Sequence, residues 1–444
     1  MECFNFICIV CGRCPGMLGR RFLPCLAEGG VFMAVILPFC CVRPNGRTVH
    51  RVAALPYDVY SRKEAKEAAA KDPLSFLNID RPETQFEDDV DMYADNVYQK
   101  ARELFDLRIL DGTFLEDKQE CYYLYELTMN GRCQTGIVAC ASIDDYLNNV
   151  IKKHENTRED KEQDRIRHVD ACSAQTGPIF LAYRSKQALS EIVQEIKKEE
   201  KLYSFITEDN VSHNVWRISD EHKKEAIQNE FAAVDSIYIA DGHHRAASAV
   251  KAGLKRRAMQ PDDCRTEPFN YFLCVLFPQE ELMILPYHRV VKDLNGLSKE
   301  EFLTKVKKEF VVEELGKIEY QPQQKGCFGM FLKGCWYCLK VKSDCMSEKD
   351  PVKQLDVSIL YDKLLAPVLG IKDPRTDKRI DFVGGIRGLK ELARRASSDM
   401  EVAFSMYPTA IEELFAVSDA GRLMPPKSTW FEPKLRSGLF IHKI

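Results

Sequence analysis

The stretch 236–248 constrains this chain more than any other. Ser236-Ile237-Tyr238-Ile239-Ala240 is apolar and β-prone, which predicts a buried strand. Asp241-Gly242 follows, and glycine gives the free backbone that a strand-to-helix turn needs. His243-His244-Arg245-Ala246-Ala247 then opens a helix that Gly253 is expected to end. A helix N-terminus carries unpaired amides and a positive dipole end, so it favours an anion. His243 and His244 add cationic or hydrogen-bonding groups there, and Arg245 can grip a phosphate with two N–H donors. Asp241 can hold a magnesium ion or orient a histidine. A plain aspartate cap with solvated neighbours would explain Asp241, but not two histidines and an arginine in succession after a core strand. Zinc ranks lower, because adjacent helical residues point about 100° apart.

A second polar run spans 151–168. Read as two helices meeting near His154, it places His154, Arg158, Lys161 and Arg165 on one face, with His168 prolonging the line. Glu155 fits a general base, and Asp164 a metal ligand or arginine partner. A solvated, ion-paired helix is the commoner source of such a run. Three further motifs present polar or glycine backbone next to apolar strands. Arg379-Ile380-Asp381-Phe382-Val383-Gly384-Gly385 is a strand whose glycine pair allows close backbone approach to a ligand. Met424-Pro425-Pro426-Lys427-Ser428-Thr429-Trp430-Phe431 is a proline-stiffened loop that presents Lys427, Ser428 and Thr429 to phosphate. Ala54-Leu55-Pro56-Tyr57-Asp58-Val59 is a turn that can aim Asp58 into a cleft. A turn or structural loop explains each of these three about as well.

No Walker A, GxGxxG, GxSxG or HExxH pattern occurs, which removes the commonest nucleotide, serine-hydrolase and zinc-protease readings. A net charge of -4 gives no general reason for nucleic acid or an acidic membrane as partner. No apolar run reaches the length of a spanning helix. The seventeen cysteines are mostly scattered through periodic segments, as in a reducing, cytoplasmic setting. Cys8-Ile-Val-Cys11 lacks the partners of a four-ligand metal site, and Cys335-Trp336-Tyr337-Cys338 reads as a strand with its sulfurs on opposite faces.

Strand and helix signals alternate irregularly, with a strong hairpin turn at Asn130-Gly131. That predicts an α+β, mixed α/β fold rather than a regular parallel sheet. Residues 1–32 fit nothing that follows and are read as a disordered upstream extension, with Met33 as the biological start. Two α/β parts are expected after it, 33–260 with both polar motifs and 261–444 packed on the first.

Taken together, Ala54–Asp58, Lys153-His154-Glu155-Asn156-Thr157-Arg158 with Lys161 and Asp164-Arg165, Ala240–Arg245, Phe382–Gly385 and Met424–Thr429 resemble the bacterial and archaeal family catalogued as domain of unknown function ten-fifteen. The resemblance runs from Met33 to the C-terminus. The Asp-Gly-His-His-Arg element is in turn similar to the phosphate-binding strand-turn-helix of the ParB-like fold, which includes free serine kinases, nucleotide-hydrolysing ParB proteins and sulfiredoxins. That likeness implies a phosphotransferase or phosphohydrolase for a small hydroxy metabolite, best serine or phosphoserine, with ATP or ADP and Mg2+. Gly242, His243, His244 and Arg245 would then cradle the phosphate, and Asp241 would place Mg2+ or a histidine. Glu155 would take the hydroxyl proton, while His154, Arg158 and Lys161 would offset phosphoryl charge and Lys427 would contact the phosphate. A nucleotide-binding regulatory switch without substantial turnover is the alternative. A DNA-binding role ranks third, because the charge is negative and no helix-turn-helix signal appears.

Overall fold

A computed structural model describes residues 33–260, 266–342 and 349–444. The proposed upstream extension, residues 1–32, lies outside the described residues, as does its CxxC pattern. The fold is mixed α/β, built on a nine-stranded and a six-stranded sheet with two smaller ones.

The larger sheet runs, edge to edge, Ile151–Lys152, Ile237–Asp241, Ile179–Tyr183, Tyr271–Pro278, Arg132–Ser142, Tyr122–Met129, Ser212–Ile218 and Tyr203–Ile206. Ile36–Leu37 pairs with the far end of Arg132–Ser142. Two pairings are parallel, Ile237–Asp241 with Ile151–Lys152 and Tyr271–Pro278 with Ile179–Tyr183; the rest are antiparallel. The hairpin at Asn130-Gly131 is observed, with φ of 52° and 78° at the two turn residues, as a tight primed turn requires.

The central strands are apolar on both faces because both faces are covered. In Tyr271–Pro278, Leu273, Val275 and Phe277 enter one core, while Phe272, Cys274 and Leu276 enter another. In Ile237–Asp241, Tyr238 and Ala240 face the first core, and Ile237 and Ile239 the second. Helices cover the second face, among them His243–Met259 through Ala246, Ala249 and Val250. On the first face lies the six-stranded sheet, ordered Phe310–Gly316, Cys335–Val341, Cys327–Leu332, Val402–Ser405, Tyr287–Val291 and Ile380–Gly384. Its Phe328, Met330 and Phe404 belong to the same core as Tyr238 and Val275.

Sheet membership crosses residue 260. Tyr271–Pro278 lies inside the larger sheet, and Ile441–Lys443 pairs with both Cys41–Pro44 and Ala174–Gln175. Among the described residues no helix is long and apolar enough to cross a membrane.

Two local expectations need correction. The run 143–169 is not two adjoining helices. A short helix, Ile143–Leu147, leads into the strand Ile151–Lys152, then an extended loop, then the helix Glu159–Cys172. That helix starts late because Glu159, Asp160 and Glu162 suit a positive N-terminus, and the preceding strand has a partner in Ile237–Asp241. Nor does Gly253 end its helix, which runs on to Met259. Gly253 is there for packing: a Cβ at this position would sit 2.3 Å from the Phe269 carbonyl oxygen and 2.9 Å from Ile143 Cδ1.

Gly253→Ala therefore tests this packing through its sign. In an uncrowded helix the change would stabilise by about 1 kcal/mol. Here overpacking is expected to destabilise by about 1–3 kcal/mol, seen as a lower urea midpoint. A raised midpoint would show that the helix is not held against the 268–270 turn.

Candidate functional site

The site begins where Ile237–Asp241 hands over to His243–Met259. The strand's register with Ile179–Tyr183 shifts between Ile239 and Asp241, an irregularity of the kind that re-aims a terminal side chain. Gly242 then turns at φ 94°, a conformation that an L side chain rarely adopts, and the helix starts at the next residue. The first amides of this helix have no intrahelical partners.

Parallel pairing brings the second polar run to the same place. Ile151 lies beside Ile237 and Lys152 beside Tyr238, so the loop after Lys152 emerges next to the Asp241-Gly242 turn. The His154 and His243 rings meet edge to face, with centroids 4.4 Å apart. The His154 amide donates to His243 Nε2 at 3.5 Å, which leaves the proton on Nδ1, 3.7 Å from Glu155 Oε2. One residue on, the Arg158 amide donates to His244 Nε2 at 3.0 Å. Ser248 Oγ lies between the His244 carbonyl at 2.7 Å and the Glu162 carbonyl at 3.1 Å, where the two helices meet.

The imidazoles do not supply positive charge here. Burial lowers His243 to about 3, and burial followed by the charge of His243 lowers His154 to about 3. Burial also lowers His244. At neutral pH all three are neutral donors and acceptors. Lysines supply the positive charge instead. Lys434 Nζ donates to Asp241 Oδ2 at 2.7 Å, while Asp241 Oδ1 accepts from the Gly242 amide at 2.9 Å. Burial opposes the charge of Asp241, but Lys434 and Arg245 outweigh it and hold the carboxyl well below the usual range. Lys427, at φ 57°, places Nζ 5.5 Å from the Tyr287 ring centre. Its charge acts on Glu155 and Asp58, and it also acts on His244.

Arg245 does not reach outward. Its Nη1 donates to the Pro178 carbonyl, and its guanidinium lies so close over Gly242 that a Cβ there would meet it at 3.0–3.1 Å. Nε is buried without a partner, beside a cavity of about 30 Å³ lined by Tyr57, Asp80, Arg165, Ser248 and Ser437 among others. That volume suits a single water.

The expected helical face through 154, 158, 161 and 165 is not formed, because His154 precedes the helix and Arg158 is only its cap residue. The Arg158 side chain is exposed and pairs with Asp160 at 2.8 Å. Lys161 lies half-buried in the first turn. Arg165 stacks 4.1 Å from the Tyr57 ring centre and bonds Asp164 and the Asp80 carbonyl, so it braces the region behind the turn. His168 bonds the Ile79 carbonyl at 2.8 Å. The glycine pair serves packing: Cβ atoms there would meet the Trp430 ring at 2.8 Å and the Pro286 carbonyl oxygen at 2.7 Å. Each oxygen of Asp241, the expected Mg2+ ligand, takes one hydrogen bond, Oδ2 from Lys434 and Oδ1 from the Gly242 amide. Among the described residues no group of three or more histidine, cysteine, aspartate or glutamate side chains is arranged to hold a metal. Lys434 escaped sequence reasoning altogether; it is 193 residues from Asp241, and no local pattern marks it.

Comparison with known proteins gives a family and a set of distant folds. The family described as "Protein of unknown function (DUF1015)" matches residues 36–358. The chain belongs to this family. No curated protein matches it. Among solved structures this family member is similar to a free serine kinase variant in complex with AMP, at 15% identity and a TM-score of 0.33, covering 68% of this chain and 91% of the other. A conserved hypothetical protein from Pyrococcus furiosus matches at 15% identity and a TM-score of 0.32, with 69% and 94% covered. A C-terminally truncated SbnI from Staphylococcus aureus matches at 12% and 0.36, with 67% and 85% covered.

The neutral state of the buried histidines makes the site acid-labile. Both have folded values below their unfolded one, so their contribution is complete above about pH 6.5 and is lost as pH falls. The wild-type loss of unfolding free energy between pH 7 and pH 5 is expected to exceed that of His154→Gln by about 2 kcal/mol. Urea titrations at the two pH values measure it, and equal losses in both proteins would show that His154 is not buried neutral.

Proposed function

We propose that this protein transfers a phosphoryl group between a nucleotide, ATP or ADP, and the hydroxyl of a small metabolite, with serine or phosphoserine the best candidate. One observation carries the reading: the Glu155 carboxylate lies at the same helix N-terminus as the Asp241-Gly242-His243 turn, 3.7 Å from His243 Nδ1. A carboxylate is at home near a helix N-terminus, but Glu155 comes from a different element than the turn it faces and lies beside a histidine of that turn. Together the helix end and the carboxylate suit a reaction in which a hydroxyl loses a proton as its oxygen meets phosphorus.

In this reading the unpaired amides at 243–245 hold the transferred group. Lys427 and Lys434 offset its charge, which is most of what phosphoryl transfer asks of a protein. Glu155 accepts the hydroxyl proton as the new O–P bond forms, and the bond to the nucleotide's bridging oxygen breaks. In the hydrolytic direction water replaces the alcohol and Glu155 takes its proton. His243 and His244 are neutral hydrogen-bonding groups. Arg245 is a positioning residue that holds the 177–178 backbone against the turn. A magnesium ion, if used, would arrive on the nucleotide's phosphates.

Phosphorus NMR of the full chain with ATP or ADP, Mg2+ and L-serine, and separately with phosphoserine, tests this. Turnover is expected, with Glu155→Gln slower by about 10²–10⁴-fold and nucleotide affinity little changed. Nucleotide binding with no turnover of any hydroxyl acceptor would refute the transferase reading and leave the regulatory switch.

A further inference from the structure

A second cleft, of about 310 Å³, opens in the C-terminal half of the chain and is not used by the reading above. Two sequence motifs meet here: Ile380 and Phe382 from the 379–385 strand, which has no role in that reading, and Pro425 and Pro426 from the proline loop, whose prolines have none. Tyr361 and Leu365 form another wall. They lie on a π-helical turn, Tyr361–Leu365, with the Ala366 amide bonded five residues back to the Tyr361 carbonyl at 2.9 Å. Such turns cost helical regularity and recur at ligand sites.

The cleft holds a buried charge without a counter-charge. Arg289 is 3% exposed, and among the described residues no carboxylate pairs with it. Its donors go to backbone: Nη1 to the Tyr287 carbonyl, and Nη2 to those of Lys427 at 3.1 Å and Pro426 at 3.5 Å. The guanidinium carbon lies 5.4 Å from the Phe382 ring centre. The acidic lining residue, Asp373, is already taken by Arg375 at 2.9 Å. Burial brings Arg289 down to about 10, so it remains charged at neutral pH. Taking an ion out of water is costly unless an opposite charge meets it. Lys372 and Arg375 also line the cleft, but Arg289 is the deeply buried cation among its apolar walls. Apolar walls with a few convergent polar groups are the usual make-up of a small-molecule site, and the volume falls in the usual range of roughly 300–1,000 Å³.

We propose that this cleft binds a small organic anion, a flat apolar body carrying a carboxylate or phosphate, with Arg289 as the charge that holds it. The body lies between Phe382, Tyr361 and the two prolines, and the anionic group meets the guanidinium. Arg289 also bonds the Lys427 carbonyl, so an occupant would bear on the loop that presents Lys427. The inference does not rest on phosphoryl transfer and stands if that reading fails.

The probe is 8-anilinonaphthalene-1-sulfonate, a flat apolar anion whose fluorescence rises on transfer from water. Titration into the full chain should show one saturable site, weakened at least tenfold by Arg289→Gln and by Phe382→Ala, with far-UV circular dichroism unchanged. N-phenyl-1-naphthylamine has the same body without the sulfonate and should bind at least tenfold more weakly to the wild-type protein, a comparison that needs no variant to fold. Displacement of the dye by AMP supports a phosphate-bearing occupant, and displacement by benzoate a carboxylate-bearing one. Equal affinity of the charged and uncharged dyes, or an Arg289→Gln protein that binds the anionic dye as well as wild type, would overturn the proposal.

Discussion

The parallel pairing of Ile151–Lys152 with Ile237–Asp241 is the constraint on which the candidate site depends. It is only two residues long on one side, yet it fixes where the following loop leaves the sheet. Because a strand places successive side chains on opposite faces, a slip of one residue would turn His154 away from His243 and remove Glu155 from the helix end. Ile151 and Ile237 are both fully buried in the same core, so the hydrophobic effect holds that register. The polar site is thus positioned by apolar side chains immediately before it.

The electrostatics of the site follow from its depth. A helix end with two histidines and an arginine looks cationic when written as a sequence. Once folded, the imidazoles are too well buried to take up a second proton, and the arginine turns back towards Pro178. The charges that face Glu155 and Asp241 belong to Lys427 and Lys434, on the chain's last segment. The potential at the turn therefore depends on the C-terminal segment being in place. Its tie to the turn is direct: the Met424 amide donates to the His154 carbonyl at 2.8 Å.

Much of this was legible in the sequence, and the failures share a cause. The strand-turn-helix at 236–248 was readable because β-prone residues, a glycine and helix formers follow each other without conflict. The hairpin at Asn130-Gly131 was readable because two left-handed residues in succession leave few alternatives. The run 151–168 was misread because helical spacing of charges is cheap to produce by chance, whereas the strand pairing of Ile151 depends on a partner 86 residues away. Gly253 looked like a helix end because the Phe269 carbonyl that it accommodates lies 16 residues on. Lys434 and the bracing role of Arg165 were invisible for the same reason: each is defined by a residue that sequence proximity does not supply.

The C-terminal segment shows how one stretch of chain can serve two places. Pro425 and Pro426 wall the cleft around Arg289, while Lys427, in a left-handed conformation, turns its side chain towards Tyr287 and its carbonyl back to Arg289. Prolines fix φ and so limit how far this loop can yield locally. A stiff loop transmits displacement better than a slack one, since strain at one end cannot be absorbed by backbone rotation in between. The buried cation of Arg289 and the exposed cation of Lys427 are thus joined by a single hydrogen bond across a rigid turn.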